Sequence, residues 1–327
     1  MSSQVMNMVQ AINNALDIKL SEDPDMVVYG EDVGLDGGVF RVTNDLQKKY
    51  GAERVFDSPL AESGIVGTAI GMSAAGLRPV VEIQFSGFAY LAFNQIIAHM
   101  ARLHNRSRGR YCTQMVLRMP YGGGIKALEH HSESMEALYG HIPGIKVVIP
   151  ATPYDAKGLL ISAIETNDPV IFMEPKKVYR AIKQEVPNEK FAIPLGKAKV
   201  AVKGTDITVI SYGAEIREVQ RAMTMAKANG ISVELIDLRT IYPIDRETIA
   251  ESIKKTGRVL SVTEDPMSFG VGAELMSIAV EEAFLNLEAP PSRLAGFDTV
   301  IPLPKGEHYY FHTAERIFYE IKKVMDY

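Results

Sequence analysis

Short apolar runs alternate with amphipathic stretches along this chain. Met26–Tyr29, Pro79–Phe85, Gln114–Met119, Lys146–Pro150 and Val170–Glu174 read as strands. Between them, Val5–Leu20, Thr43–Tyr50, Glu62–Ala75, Leu91–Asn105, Ser134–His141 and Pro153–Thr166 read as helices. The last has a good start signal, with Thr152 as N-cap and Pro153 at the first helical position. From Pro175 to Pro194 the pattern breaks: Lys and Glu are frequent and Pro187 interrupts, which marks a connecting segment. A second series follows, with strands at Asp206–Tyr212, Ser232–Asp237, Arg258–Thr263 and Ser292–Gly296. Its helices are Glu215–Asn229, Arg246–Thr256 and Gly272–Leu287, and Gly230 sits where a C-cap is expected. This alternation predicts an α/β protein with two open, largely parallel sheets covered by helices. The expected division is 1–180 and 198–327, joined by a linker at 181–197.

Composition narrows the field only a little. The 327 residues suffice for two domains, and 46 % hydrophobic with 23 % charged residues is ordinary for a soluble protein. A net charge of −5 with no strongly basic domain argues against nucleic acid. Cys112 is the single cysteine, so no intrachain disulfide forms, in keeping with a reducing compartment. Met1 to Asp25 lacks the basic start and apolar core of a signal peptide. The small-apolar run Ile65–Leu77 is too short and glycine-rich to span a bilayer. No membrane association and a cytoplasmic location are expected.

Chemistry concentrates around Asp57-Ser58-Pro59-Leu60-Ala61-Glu62-Ser63-Gly64. A glutamate in a first helical turn favours the helix dipole, and that alone explains many such residues. Glu62 keeps other company. Glu31, Glu82, Gln84 and Phe88 all lie at or just past the ends of predicted strands, where open α/β sheets bind ligands. Gly64, Gly67 and Gly71 share one helix face. Each costs roughly 1 kcal/mol of helix stability against alanine, so another backbone is expected close by, inside the subunit or across subunits. His130-His131 makes a poor zinc site and a poor nucleophilic pair; Ser132 or Ser134 reads as a helix cap, and the histidine remains able to transfer protons. Gly122-Gly123-Gly124 lacks the Lys-Ser/Thr of a phosphate loop and reads as a turn. Gly270-Val271-Gly272 lacks the third glycine of a dinucleotide fingerprint.

These motifs resemble the beta subunit of the thiamine-diphosphate-dependent decarboxylase component of 2-oxo acid dehydrogenase complexes. The resemblance is carried by Gly30-Glu31-Asp32-Val33-Gly34, Leu60-Ala61-Glu62-Ser63-Gly64, Glu82-Ile83-Gln84-Phe85 and Pro143–Pro150. In the second half Asp237-Leu238-Arg239-Thr240-Ile241, Lys255-Thr256-Gly257-Arg258 and Leu287–Pro290 continue it. It implies a pyrimidine-binding first domain and a transketolase-type C-terminal domain. It also implies that Glu62 bonds the aminopyrimidine of thiamine diphosphate and drives the tautomer shift that activates the cofactor. Phe88 would pack near that ring, Gln84 would line the pocket, and Glu31 would belong to an acidic cluster beside it. His131 matches a histidine implicated in acyl transfer to a lipoyl arm. The stretch Ala163–Pro169 resembles a potassium-binding loop, with Ala163, Thr166 and Asp168 as candidate ligands.

The family's Gly-Asp-Gly and Asn-Asn ligands for Mg²⁺ and diphosphate have no counterpart here, since Asn13-Asn14 lies at the wrong end. The resemblance therefore implies an alpha subunit that holds Mg²⁺, an alpha₂beta₂ heterotetramer, and a lipoyl acyltransferase as acceptor. Glu174-Pro175-Lys176 with Tyr179-Arg180-Ala181, and Phe284–Pro290, look more like the branched-chain type. The expected activity is oxidative decarboxylation of a branched-chain 2-oxo acid. Pyruvate is the second reading and acetoin the third. A noncatalytic assembly subunit is the rival from another class.

Overall fold

A computed structural model describes residues 2–327. Its larger sheet has seven strands, in the order Thr240–Tyr242, Lys146–Val148, Val170–Pro175, Val116–Tyr121, Arg78–Glu82, Met26–Gly30, Val55–Asp57. All pairs are parallel except the first. Val80, Val81, Val116, Leu117, Ile171 and Phe172 are buried, because helices cover both faces. That is why these strands read as continuous apolar runs rather than alternating ones. The smaller sheet runs Ser292–Gly296, Val259–Pro266, Ile207–Ser211, Val233–Asp237, Lys199–Val202.

Several elements depart from the sequence expectation. Asn7 forms a capping box with Gln10, both bonds 3.0 Å, so the first helix starts at Met8 rather than Val5. The freed Ser3–Met6 becomes a strand and pairs antiparallel with Gln184–Pro187, inside the expected connecting segment. Leu91–Asn105 is not one helix. A 3₁₀ turn at Ser86–Ala92, an α turn at Phe93–Gln95 and a π turn at Ile96–Met100 precede a short helix at Leu103–Arg106. The bend begins at Gly87, where any Cβ would stand 2.2 Å from the His130 carbonyl oxygen. A C-terminal helix, Ala314–Met325, was not anticipated; Ile317, Ile321 and Val324 pack its apolar stripe into the core of the smaller sheet. Thr152 and Pro153 start their helix as expected, and Gly230 has the positive φ of a residue just past a helix end. No helix among the described residues is long and apolar enough to cross a membrane.

The two halves are joined by more than the connecting segment. Thr240–Tyr242, from the second half, forms the edge of the first sheet. The Gly122–Gly124 loop points its amides at second-half carboxylates: Gly123 N–H donates to Glu264 at 2.7 Å and Gly124 N–H to Glu307 at 2.8 Å. A Cβ at Gly123 would meet the Phe311 ring at 2.2 Å, so any larger residue there would have to displace that ring. Ser134 also donates to Glu264, at 2.8 Å, and caps no helix.

Behind this loop lies a buried carboxylate cluster. Glu136 accepts from the Tyr212 hydroxyl at 3.0 Å. Burial, with Asp265 nearby, pushes Glu136 well above the usual carboxylate range. Burial raises Asp265 and Glu264 as well, Glu264 also through Glu215. A raised folded-state pKa stabilises the fold below the ordinary carboxylate range, and that contribution is lost as pH rises through the folded value. Thermal melts between about pH 6 and pH 9 are therefore expected to fall toward the alkaline end. Glu136→Gln, which keeps a hydrogen-bonding side chain without the charge, is expected to flatten that fall. An unchanged slope would show that Glu136 binds no more proton in the folded chain than in the unfolded one across this window.

Candidate active site

The carboxyl ends of the first sheet gather most of the candidate residues. Glu31 follows Met26–Gly30, Glu62 opens the helix after Val55–Asp57, Gln84 and Phe88 follow Arg78–Glu82, and His131 follows Val116–Tyr121. Parallel strands deliver all five to one edge. Gly30 lets two of those strand ends approach, since a Cβ there would lie 2.5 Å from the Glu82 carbonyl oxygen.

Glu62 is 4 % exposed and stands in the first turn of a helix with no side-chain cap. Glu31, also buried, has one carboxylate oxygen with no hydrogen-bond partner. Burial raises its pKa, and the neighbouring charges of Glu62 and Asp32 raise it further. Gln84 donates to Asp32 at 2.9 Å, which turns its amide toward the acidic end of the group.

An aromatic wall closes the other side. Phe85 packs edge-on against Phe88 (5.5 Å), Phe40 (5.5 Å) and the His131 ring (4.4 Å). Phe88 also meets His131 at 5.1 Å. His131 has a buried Nδ1 without a partner, and burial, then Lys176 and His130, lowers its pKa. The same sheet edge thus carries a buried carboxylate pair and a histidine packed among aromatic rings. It suits proton exchange with a flat, nitrogen-bearing ligand.

Sequence reasoning missed the support beneath this edge. Arg118 is fully buried in a central strand and binds Glu82 at 2.8 Å and Glu174 at 2.7 and 3.0 Å. The Tyr179 hydroxyl donates to the same Glu174. The pairing ties three neighbouring strand ends together, and loss of one partner would strand a buried charge. A charged residue inside the apolar run Val116–Tyr121 was the available signal. Lys176, buried and without a partner for its Nζ, was missed as well.

The expected potassium loop lies elsewhere, at the opposite end of the strands. Arg78, which begins its strand, donates to the carbonyls of Ile164 and Thr166, at 2.5 and 3.1 Å. Asp168 pairs with Lys146, and Ala163 is buried within its helix. Two cationic side chains, Arg78 and Lys146, engage this loop.

Comparison with known proteins adds the following. The family described as "Transketolase, pyrimidine binding domain" matches residues 4–182, and "Transketolase, C-terminal domain" matches residues 196–317. A protein of Acholeplasma laidlawii named "Pyruvate dehydrogenase E1 component subunit beta" is 56 % identical over 320 residues, 98 % of each chain. One of the same name from Mycoplasma pneumoniae is 48 % identical over 319 residues, again 98 % of each. A solved structure titled "Split gene transketolase, inactive beta4 tetramer" superposes with a TM-score of 0.81 at 23 % identity, covering 98 % of this chain and 99 % of that one.

Proposed function

We propose that this chain, which belongs to the family of 2-oxo acid dehydrogenase decarboxylase beta subunits built from transketolase-type domains, serves the oxidative decarboxylation of pyruvate. The observation that carries the reading is the buried, electrostatically linked pair Glu31 and Glu62 at the carboxyl edge of the first sheet. The unpartnered oxygen of Glu31 and the neighbouring Glu62 fit the aminopyrimidine end of thiamine diphosphate. Bound there, that cofactor supplies the electron sink that decarboxylation of a 2-oxo acid requires.

The chain's own residues then have distinct tasks. Glu62 would carry the proton exchanged with the aminopyrimidine. Glu31, with its raised pKa, can share that proton, since two close carboxylates resist double ionisation. Phe85 and Phe88 keep water from the reacting side. His131, neutral near working pH, takes or returns a proton at the mouth, where a lipoyl arm would accept the acyl group. Arg118 fixes the strand ends that carry these groups. A separate alpha chain completes the site and holds Mg²⁺.

Two segments had suggested a branched-chain substrate. Glu174 and Tyr179 are committed to the Arg118 support, so their identities report on packing. Phe284 and Leu285 lie exposed on the second half. Support for pyruvate comes instead from the names of relatives that match almost end to end. In the assembled enzyme, kcat/KM for pyruvate is expected to exceed that for 3-methyl-2-oxobutanoate by at least about tenfold, roughly what a few methyl groups in an apolar pocket decide. Equal or inverted values would return the assignment to the branched-chain reading.

A further inference from the structure

Lys176 is a lysine with nowhere obvious to put its charge. It follows the strand Val170–Pro175 at the carboxyl edge, is 4 % exposed, and its Nζ has no hydrogen-bond partner. The Nζ stands 5.6 Å from the centre of the Phe85 ring. The His131 ring packs on that same phenylalanine, with centroids 4.4 Å apart and planes at 61°. A methionine would fill this place without the cost of a buried, unpaired ammonium. Retention of the charge asks for a reason.

The surroundings supply one. From the second half, Glu264 and Glu307 attract the ammonium without touching it. Both are already engaged, Glu264 by the Gly123 amide and Ser134, Glu307 by the amides of Gly124 and Lys126. Lys177 turns away, over the Phe311 ring. On the histidine side, His130 is the titratable neighbour on the same turn, its Nδ1 3.7 Å from Glu133. Phe85 and Phe88 contribute no charge. Lys176 is therefore the cation that His131 meets across the aromatic wall.

We propose that Lys176 is a positioning residue that keeps His131 in its neutral, proton-accepting form. The proposal rests on the reading that His131 serves the active site. Burial pulls Lys176 down to about 7, so it is an ammonium below that pH, where His131, itself lowered, titrates. A fixed positive charge beside an imidazole disfavours the imidazolium. His131 then stays available as a base to lower pH than a free histidine would.

The test uses the full chain and its assembled enzyme, with Lys176→Met and Lys176→Arg. Histidine labelled at Cε1 reports each titration by NMR, and His131→Gln assigns the signal. In Lys176→Met the His131 midpoint is expected to move to higher pH, and the acid limb of the pH profile for lipoyl acylation to move with it. Lys176→Arg is expected to leave both near the parent values. The methionine variant should melt no lower than the parent, which separates the effect from misfolding. An unmoved His131 midpoint in Lys176→Met overturns the proposal. A moved midpoint with an unmoved acylation profile upholds the electrostatic coupling and overturns the role of His131 in acyl transfer.

Discussion

Glu62→Gln is expected to lower 2-oxo acid decarboxylation by the assembled enzyme by roughly 10²- to 10⁴-fold, the usual worth of a well-placed general acid or base. Glutamine keeps the size and much of the hydrogen bonding but cannot carry or release the proton. The fold should not suffer. Glu62 is a like-charged neighbour of Glu31, and its charge is one reason the Glu31 pKa is raised. Removing it relieves repulsion at a buried carboxylate, so the variant should melt at or above the parent temperature and assemble normally. With Glu62 neutral, Glu31 should titrate closer to the ordinary carboxylate range. Steady-state turnover, alongside melting and size-exclusion profiles, reads all of this. Turnover within a few-fold of the parent would remove Glu62 from the chemistry and leave it a helix-start residue.

That this edge could be located at all from the chain follows from its locality. Glu31 and Gln84 sit within two residues of a strand whose apolar run announces its end, while Glu62 and His131 lie farther on, marked by the helix start and the paired histidines. A parallel sheet then brings them together without any further instruction. What escaped notice depends on partners far away in sequence. Arg118 reaches Glu82 and Glu174, 36 and 56 residues away, so a charge in an apolar strand could be seen but its meaning could not. The strand at Gln184–Pro187 exists because Ser3–Met6 comes back to pair with it. Thr240–Tyr242 is too short to announce itself and is fixed by pairing with the other half's sheet. Leu91–Asn105 carries helical spacing, with Ile96 and Met100 buried, yet the chain there runs through 3₁₀, α and π turns, and its start at Gly87 packs against the His130 carbonyl, forty-three residues away. Glu174 and Tyr179 read in the sequence as marks of the branched-chain type, and the structure places both in the Arg118 support, a contact made with a residue more than fifty positions away.

The isolated chain is expected to bind thiamine diphosphate weakly and to show no decarboxylation, and a co-expressed alpha chain is expected to restore both. Only the pyrimidine end has residues here. No cluster among the described residues could hold a metal ion, and a diphosphate without its metal gains little from a chain of net charge −5. The surface around the site points the same way. Leu35, Leu60, Leu91 and Leu128 are 84, 80, 68 and 62 % exposed, each near a candidate residue. Apolar side chains gathered beside a site and left to water mark a face made for another protein. The glycine face agrees: a Cβ at Gly71 would meet nothing within 4 Å, so the chain's own packing does not require glycine there. Gly71→Leu should therefore leave the melt of the lone chain unchanged or slightly raised, by roughly 1 kcal/mol of helix propensity at most, while blocking assembly. Calorimetry with Mg²⁺ and cofactor, a 2-oxo acid assay, and size-exclusion of both chains together decide the matter. Tight binding with turnover by the lone chain would refute the divided site. Normal assembly of Gly71→Leu would place the partner's contact on another face and leave the helix glycines without a role between subunits.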